Sequence, residues 1–522
     1  MQDVVVRKNR FKVIKNIILI LYFLVLDIIL VGSFYLKIYF SGEPIDEMMF
    51  YLNNGVGNSN MDVLYTAIRV CLPYCFAILV LLFIIFDIFN IKYKKVKIKE
   101  KYFSIVPFKF VGRHRFIFSI ILGLIVIFIA ISNLNVFSYL KTSSSDSSFI
   151  EKNYRMPYKE NISFKKKKNL ILINVESLET TLFTKKQGGD WDYEVIPEMY
   201  SLLNDKDSIY FSSNKKSAGI YGTSTSNWTT ASIFASSSGI PFKVPIDGNS
   251  YHSSNFMSGA YTLGDILSDN GYYNEVISAA NTNFGGLEEY FTKHGSYNII
   301  DVRSKEKYDD SFKSSDVNHW GFNDNYLFYL AKKRLDEISK DNKPFNLELI
   351  TIDTHAYDIY LGDYSVNKYD SNVENAYATT SKLIYDFINW VKRQDYYKDT
   401  TIVILGDHPS HNVEFFKNYD QDKRRVYNVI INPSTNTLNT KNRRFMMIDM
   451  YPTILASIGA DIKDDQLGLG VNLFSDKFTL SEIYGVDYVN EELLKKSKFY
   501  NETILAGDYE KLVKESLENE NN

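Results

Sequence analysis

Three apolar runs in the first quarter of the chain, each long enough to cross a bilayer, constrain the fold more than any other feature. They lie at about 13–39, 64–89 and 116–137. A membrane-spanning helix needs roughly 20 apolar residues, so residues 1–140 are predicted to form a domain of three transmembrane helices. A cleaved signal peptide is the alternative for the first run, but its apolar core is too long and no small-residue cleavage site is evident.

Basic residues are distributed unevenly around the three runs. The segment before the first run and the loop at 91–115 are rich in Lys and Arg, whereas the loop at 41–62 is acidic or neutral. Because Lys and Arg are enriched in cytoplasmic loops, we expect the N-terminus inside and the chain after about Leu140 outside. This topology explains the basic loop, so nucleic acid is not predicted as a partner. Asp27 and Asp87 within the runs are candidates for function, or simply face a neighbouring helix or a helix end.

The remainder of the chain has an ordinary globular composition. A Ser-rich stretch at 141–149 begins a predicted linker at 141–165, followed by a catalytic domain at 166–490 and a charged C-terminal tail at 491–522. The two cysteines, Cys71 and Cys75, lie in the second apolar run. Disulfides and cysteine-type zinc sites are therefore excluded from the outer domain.

Strand-like and helix-like segments alternate through the outer domain. "NLILINVES", "NEVISAA", "FNLELITID" and "TTIVILGDH" read as buried strands, and "DNYLFYLAKKRLDEISK" and "VENAYATTSKLIYDFINWVKRQ" have helical periodicity. This alternation predicts an α/β fold with a mostly parallel sheet and helices on both faces.

Acidic and imidazole side chains follow three of these strands. Glu176 ends the first, His355 comes just after the third, and Asp407 with His408 ends the fourth. Ligands in such folds bind beyond the carboxyl ends of the strands, and this donor set suits Mn²⁺, Mg²⁺ or Zn²⁺. Taken singly, each residue also fits a helix-terminal acid, a turn residue or a structural histidine.

A hydroxyl-rich stretch, "GIYGTSTSNWTTASIFASSSGIPF" at 219–242, contains a predicted helix starting near Asn227 or Trp228. Backbone N–H groups of the first helical turn bind anions, and a nearby metal makes an alkoxide accessible. The stretch therefore holds a candidate nucleophile that could attack phosphorus. A polar capping loop is the alternative.

These motifs, in this order, resemble the alkaline phosphatase superfamily. They are most similar to its membrane-anchored phosphoglycerol transferases, of the periplasmic-glucan type and the lipoteichoic acid synthase type. The shared features lie between about Asn169 and Phe474: "NVESLE", "WTTASIFASSSGIP", "HWGFNDNYLFYLAKKRLDEI", "KPFNLELITIDTH", "ILGDH" and "IDMYPTILASIGA" with "LGLGVNLF".

The resemblance implies a role for each matching residue. Glu176, Asp407 and His408 would hold one divalent cation, most often Mn²⁺ in this family, together with the nucleophile Thr229. Thr230 and Thr225 are the alternative candidates for the nucleophile. The residues expected to contact substrate are His355 as phosphate ligand or general acid, Trp320 and Asp324 at the donor headgroup, and Arg424 or Arg425 at the phosphate.

The resemblance also implies a reaction. Phosphoglycerol would pass from phosphatidylglycerol through a phospho-threonine to an envelope glycan or polymer, outside the bacterial cytoplasmic membrane. A phosphoethanolamine transferase is the nearest alternative, although those enzymes usually carry external disulfides. Sulfate-ester hydrolysis would need a Cys-x-Pro-x-Arg type signature, which the chain lacks. A non-catalytic glycan-binding protein on the same fold would be expected to lack one of the site residues.

Overall fold

The computed structural model describes residues 2–39, 61–86, 88, 96–98, 101–103, 109–243, 256–309, 311–356 and 359–520. The chain forms two compact units. The first comprises residues 1–48 and 60–140, and the second comprises residues 49–59 and 141–522.

Three long helices make up most of the first unit: α1 (Gln2–Tyr39), α2 (Met61–Ile85) and α3 (Arg115–Asn133). Each contains a stretch long and apolar enough to cross a membrane, with mean hydropathy of 2.8, 2.6 and 2.7 respectively. The three predicted helices therefore form. Asp27 is buried at 1 % exposure within this unit, as expected for a side chain that faces a neighbouring helix, whereas Asp87 lies outside the described residues.

A central sheet of seven strands organises the second unit. The strands are β1 (Asn169–Val175), β2 (Ser208–Ile209), β3 (Tyr273–Ser278), β4 (Asn298–Ile300), β5 (Phe345–Ile350), β6 (Thr400–Gly406) and β7 (Asn428–Ile431). Their order in space is β2-β7-β6-β1-β5-β3-β4. Only the two pairs that involve β7 are antiparallel, so the predicted mostly parallel sheet is confirmed.

Helices cover both faces of this sheet, because alternate residues of each strand point to opposite sides. The helices are α4 (Pro197–Leu203), α5 (Thr229–Ser238), α6 (Leu263–Asp269), α7 (Asp324–Ile338), α8 (Asn372–Val391), α9 (Met450–Ser457), α10 (Val486–Leu494) and α11 (Tyr509–Glu520). Leu170 and Leu172 of β1 belong to one core, with α5, α6 and α9, whereas Ile171 and Ile173 belong to the other, with α4, α7 and α8.

Shorter elements complete the described chain. Two-residue and three-residue strands pair antiparallel outside the central sheet. These pairs are Val96–Ile98 with Lys101–Phe103, Ile162–Phe164 with Ala460–Ile462, Ile220–Tyr221 with Arg425–Val426, and Gln466–Leu467 with Gly470–Val471. The short helices are Lys109–Arg113, Val136–Ser143, Phe149–Asn153, Leu287–Lys293, Lys305–Tyr308, Val413–Phe416 and Leu480–Tyr484.

The segments predicted as a linker and as a charged tail both belong to the second unit and contribute buried residues to it. In the former, Phe149 and Ile150 are buried, at 8 % and 0 % exposure. In the latter, the Tyr500 hydroxyl donates to the Pro241 carbonyl at 3.0 Å, and the Tyr509 hydroxyl donates to a backbone carbonyl at 2.7 Å. A few apolar and aromatic residues anchor each segment, although its average composition is polar.

One carboxyl group is buried in the middle of the sheet. Glu348 of β5 is 1 % exposed, and its Oε1 accepts a hydrogen bond from Asn174 Nδ2 of β1 at 2.8 Å. Burial raises the pKa of Glu348 from its usual 4.5 to about 8. The folded protein therefore holds this carboxyl protonated at neutral pH, whereas the unfolded chain releases the proton.

We expect Glu348 to make the wild-type protein less stable as the pH rises from about 4.5 to about 8. A folded-state pKa above the unfolded value contributes stability at low pH that is lost as the pH passes the folded value, here on the order of 5 kcal/mol in total. Unfolding in detergent between about pH 5 and pH 9 should show a flatter profile for Glu348→Gln. The control is Glu491→Gln, at a glutamate whose side chain is 58 % exposed. Parallel profiles for wild type and Glu348→Gln would contradict this assignment.

Candidate functional site

Glu176 and Asp407 lie side by side because they follow neighbouring parallel strands that end in register. Val175, the last residue of β1, pairs with Gly406, the last residue of β6. Glu176 and Asp407 are each 1 % exposed, and His408 is 5 % exposed. One ligand atom from each of these three side chains lies within 4.8 Å of the other two. The structure therefore brings together three of the four residues predicted as metal ligands, Glu176, Asp407 and His408.

Hydrogen bonds orient these three side chains. Asp407 Oδ1 accepts from the backbone N–H groups of Ser177 at 2.8 Å and His408 at 2.7 Å. Glu176 Oε1 accepts from the Ser177 hydroxyl at 2.6 Å. His408 Nδ1 lies 3.0 Å from the Pro409 carbonyl, which assigns the proton to Nδ1. The other ring nitrogen, Nε2, faces the two carboxylates, at 3.5 Å from Glu176 Oε1 and 3.4 Å from Asp407 Oδ2.

The electrostatics of this cluster fit a cation. Two carboxylates are buried close together, and burial followed by the nearby Glu176 raises the pKa of Asp407 to about 6. Asp407 Oδ2 is buried and accepts no hydrogen bond from the described residues. Two carboxylate oxygens and one imidazole nitrogen form a donor set for a divalent cation of the Mn²⁺, Mg²⁺ or Zn²⁺ type.

Of the three candidate threonines, Thr229 has its hydroxyl at this cluster. It is the first residue of α5, and its Oγ1 donates to Glu176 Oε2 at 3.3 Å. Thr230 Oγ1 instead donates to the Gly285 carbonyl at 2.8 Å, and Thr225 Oγ1 lies 3.5 Å from another threonine hydroxyl. Thr229 is half-buried, while Thr230 and Thr225 are buried. The geometry therefore distinguishes Thr229 from its two alternatives.

The side chains of His355 and Trp320, both predicted to contact substrate, lie next to each other. Their ring centroids are 4.6 Å apart, and both side chains are half-buried. The preceding residue, Thr354, donates from its hydroxyl to the Glu176 carbonyl oxygen at 2.6 Å. The segment that carries His355 is thus hydrogen-bonded to the backbone of Glu176.

Asp324, which was expected at the donor headgroup, is fully buried at the start of α7. Its Oδ1 accepts from the backbone N–H groups of Ile352 at 2.8 Å and Asp353 at 3.3 Å, and its Oδ2 accepts from the Thr380 hydroxyl at 3.1 Å. Burial, followed by Asp353, raises the pKa of this carboxyl well above its usual range. Asp324 therefore joins α7 and α8 to the chain after β5 through hydrogen bonds within the protein.

Arg424, which was expected at the phosphate, is also occupied elsewhere. Its guanidinium is 9 % exposed and pairs with Glu179, which is fully buried. Nε donates to Glu179 Oε2 at 2.9 Å, and Nη2 donates to Glu179 Oε1 and the Ser410 carbonyl. Its neighbour Arg425 lies over the Tyr221 ring at 3.7 Å. Arg424 therefore holds the loop after His408 in place, which a count of charges cannot reveal.

We expect Arg424→Ala to lower the free energy of unfolding by about 3–5 kcal/mol, because it leaves the Glu179 carboxylate buried without its partner. Arg425→Ala is the matched control and should have a much smaller effect. Denaturant unfolding of the full-length protein in detergent checks both variants. A stable Arg424→Ala protein that has lost activity would instead support the phosphate-contact role.

His411 is a further residue at the site that sequence reasoning missed. Its ring lies 4.7 Å from the His408 ring, and its Nε2 lies 2.7 Å from the Asn227 carbonyl oxygen. Burial, followed by His408, lowers the pKa of His411 to about 3. The neutral ring donates to the backbone that leads into Trp228 and Thr229. A second histidine in "DHPSH", three residues after His408, was the available signal.

Comparison with known proteins agrees with the motifs. The chain is 31% identical over 331 residues to phosphoglycerol transferase I of Escherichia coli O127:H6 (strain E2348/69 / EPEC), covering 61% of this chain and 40% of that protein. It is 30% identical over 330 residues to phosphoglycerol transferase I of Salmonella choleraesuis (strain SC-B67), with the same coverage. The chain thus spans 40% of the length of these curated relatives.

Solved structures of similar chains include a lipoteichoic acid synthase and an integral membrane phosphoethanolamine transferase. The lipoteichoic acid synthase LtaP from Listeria monocytogenes matches at 18% identity and a TM-score of 0.45, over 60% of this chain and 80% of that chain. The lipooligosaccharide phosphoethanolamine transferase A from Neisseria meningitidis matches at 13% identity and a TM-score of 0.47, over 85% and 87%.

The sulfatase family model matches residues 168–460. This segment contains the strands of the central sheet and all the site residues named above. The curated relatives carry the name phosphoglycerol transferase, the kind of protein that the motifs resemble. Because the match covers more than half of the 522 residues, the chain belongs to the sulfatase family.

Proposed function

We propose that this protein transfers phosphoglycerol from phosphatidylglycerol to an envelope glycan or polymer, with Thr229 as the nucleophile. The observation that carries the proposal is the Thr229 hydroxyl at 3.3 Å from Glu176 Oε2, beside the buried cluster of Glu176, Asp407 and His408. The curated relatives named phosphoglycerol transferase I support phosphoglycerol as the transferred group.

In this proposal, the cluster of Glu176, Asp407 and His408 activates the nucleophile. A divalent cation held by Glu176, Asp407, His408 and Thr229, with Mn²⁺ as the preferred ion, would supply positive charge that favours the ionised hydroxyl. Glu176 Oε2 accepts the hydrogen bond that aims the Thr229 hydroxyl. The start of α5 adds backbone N–H groups directed toward a bound phosphate.

Transfer would then take place in two steps. Thr229 Oγ attacks phosphorus, the bond from phosphorus to the diacylglycerol oxygen breaks, and His355 donates a proton to that oxygen. In the second step, an acceptor hydroxyl attacks the glycerophospho-threonine, its proton passes to His355, and Thr229 is regenerated. Trp320 would contact the glycerol headgroup from its position 4.6 Å from the His355 ring.

The three apolar helices support a location at a membrane, where the lipid donor is found. We propose a multi-pass protein of the bacterial cytoplasmic membrane, with the second unit outside. Acceptors of this kind, such as a periplasmic glucan or a polyglycerol-phosphate chain, are polyhydroxyl polymers of the cell envelope. Nucleic acid has no part in this proposal.

The test uses full-length protein in detergent micelles with Mn²⁺ and fluorescent phosphatidylglycerol, followed by detection of diacylglycerol. Release from phosphatidylglycerol is the expected result. Release from phosphatidylethanolamine alone would transfer the protein to the phosphoethanolamine class. No release from either lipid, with an oligosaccharide acceptor present, would overturn the proposal of a lipid donor.

A further inference from the structure

The Trp320 side chain is carried by a tight turn that Asn318 closes. Asn318 Oδ1 accepts from the backbone N–H groups of Trp320 at 2.8 Å and Gly321 at 3.1 Å, and the Asn318 N–H donates to the Gly321 carbonyl at 2.9 Å. A Cβ at Gly321 would lie 2.1 Å from the Ala279 carbonyl oxygen. The hydrogen bonds of Asn318 and the close approach of Gly321 to the Ala279 carbonyl therefore both constrain the conformation of this turn.

Asp353 fixes this turn from the opposite side. Its side chain is 2 % exposed, and its Oδ1 accepts from Asn318 Nδ2 at 3.0 Å. Oδ2 accepts from the Asp324 backbone N–H at 3.0 Å and from the Tyr364 hydroxyl at 2.8 Å. One buried carboxylate thus joins the Trp320 turn, the start of α7 and the loop at Tyr364.

Asp353 also belongs to the chain segment that carries His355. It lies two residues before His355, whose backbone N–H donates to the Ile352 carbonyl at 2.9 Å. Asp353 therefore connects the Trp320 turn to the chain segment that carries His355. The Trp320 and His355 rings lie 4.6 Å apart next to this connection.

We propose that Asp353 is a positioning residue that holds Trp320 against His355 and so determines how well the donor headgroup binds. The inference deepens the proposed function and rests on it, since Trp320 is there the headgroup contact. The hydrogen bond from Asn318 to Asp353 is the contact that distinguishes this role from a purely structural one. If Asp353 served only the start of α7, its bonds to Asp324 and Tyr364 would be sufficient.

The hydrogen bond between Asp353 and Asn318 can be broken and rebuilt with reversed polarity. In Asp353→Asn, the remaining oxygen stays with the Asp324 N–H and the Tyr364 hydroxyl, so an NH₂ group faces the NH₂ group of Asn318. In Asn318→Asp alone, two carboxylates face each other. The double variant Asp353→Asn/Asn318→Asp restores one donor and one acceptor, and the new carboxylate still accepts from Trp320 and Gly321.

The first measurement is steady-state diacylglycerol release by the full-length protein. We expect each single variant to raise the KM for phosphatidylglycerol about tenfold or more, because a buried polar group loses its partner. We expect kcat to change less than about threefold, and the double variant to return KM to within about threefold of wild type. Unchanged KM in both single variants, or a double variant no better than either, would overturn the inference.

A second variant covers the case in which Asp353→Asn does not fold. Asn318→Ala leaves the Asp353 bonds to Asp324 and Tyr364 intact and should raise KM by the same factor. A purely structural role for Asp353 predicts instead a lower unfolding temperature with KM unchanged in Asn318→Ala, and that result would contradict the proposal.

An independent measurement separates this inference from the proposed donor. The protein is labelled with 5-fluorotryptophan, and the Trp320 resonance in the ¹⁹F spectrum is assigned by its loss in Trp320→Phe. Asp353→Asn should shift or broaden that resonance, and the double variant should restore it, whatever the substrate is. If wild type does not release diacylglycerol while the resonance behaves as expected, the donor assignment fails and the positioning role stands. An unchanged resonance in Asp353→Asn would remove the positioning role itself.

Discussion

Replacement of Thr229 by alanine is expected to reduce diacylglycerol release by about a thousandfold or more, because the oxygen that attacks phosphorus is lost. Thr229→Ser should retain part of the activity, since it keeps a hydroxyl at the start of α5. The assay is the lipid-release measurement with fluorescent phosphatidylglycerol. Mass spectrometry of protein quenched during turnover should show a glycerophosphate adduct on the peptide that contains Thr229, and none in the alanine variant.

Thr230→Ala is the matched control for this substitution. It removes the adjacent hydroxyl, whose hydrogen bond goes to the Gly285 carbonyl at 2.8 Å and not to the acidic cluster. We expect it to cost about 1 kcal/mol of stability and to leave most of the activity. The reverse pattern, with Thr229→Ala active and Thr230→Ala inactive, would move the nucleophile by one residue.

Removal of the metal is expected to abolish transfer and to lower stability. An ion that binds only the folded state adds about 2.7 kcal/mol when its concentration is a hundred times its Kd. Chelated wild-type protein should therefore unfold at lower temperature, and added Mn²⁺ should restore both stability and activity. Asp407→Asn should show no such gain, because it removes the oxygen that accepts no hydrogen bond from the described residues.

Asp449→Asn provides the control for this experiment. Asp449 is also 1 % exposed, and it accepts backbone hydrogen bonds from Met446 and Val471, both at 2.9 Å. We expect this variant to keep the full gain in stability from Mn²⁺. Without metal, Asp407→Asn should be at least as stable as wild type, since one of two neighbouring buried carboxylates becomes neutral. An equal gain from Mn²⁺ in wild type and Asp407→Asn would show that the ion binds elsewhere.

Much of the site could be predicted from the sequence because strands that are buried on both faces leave a clear signal. An apolar run that stops at a polar residue marks the carboxyl end of a strand, and Glu176, Asp407 and His408 stand at such positions. All parallel strands end at the same edge, so the three residues were expected to meet. The alternation of helices and strands likewise predicted that helices cover both faces of the sheet.

The contacts of long polar side chains could not be predicted in this way. Arg424 and Glu179 are 245 positions apart in the chain, and their pairing depends on how the loop after His408 folds back. The charge of Arg424 predicted a phosphate contact, and it gave no sign of the buried ion pair with Glu179 that the structure shows. The folded C-terminal segment escaped prediction for a related reason, since a few anchors such as Tyr500 and Tyr509 stand in a polar background.

The two strands that present the carboxylates are neighbours in space but distant in the chain. Ser177, next to Glu176, and Asp407 are 230 positions apart. Asp407 and His408 are adjacent, but Glu176 joins them only through the sheet, so the complete donor set forms when β1 and β6 have paired. An ion that needs all three side chains would therefore be taken from the compartment in which the sheet folds, and the ions available there, as much as the ligands, would decide which one is bound.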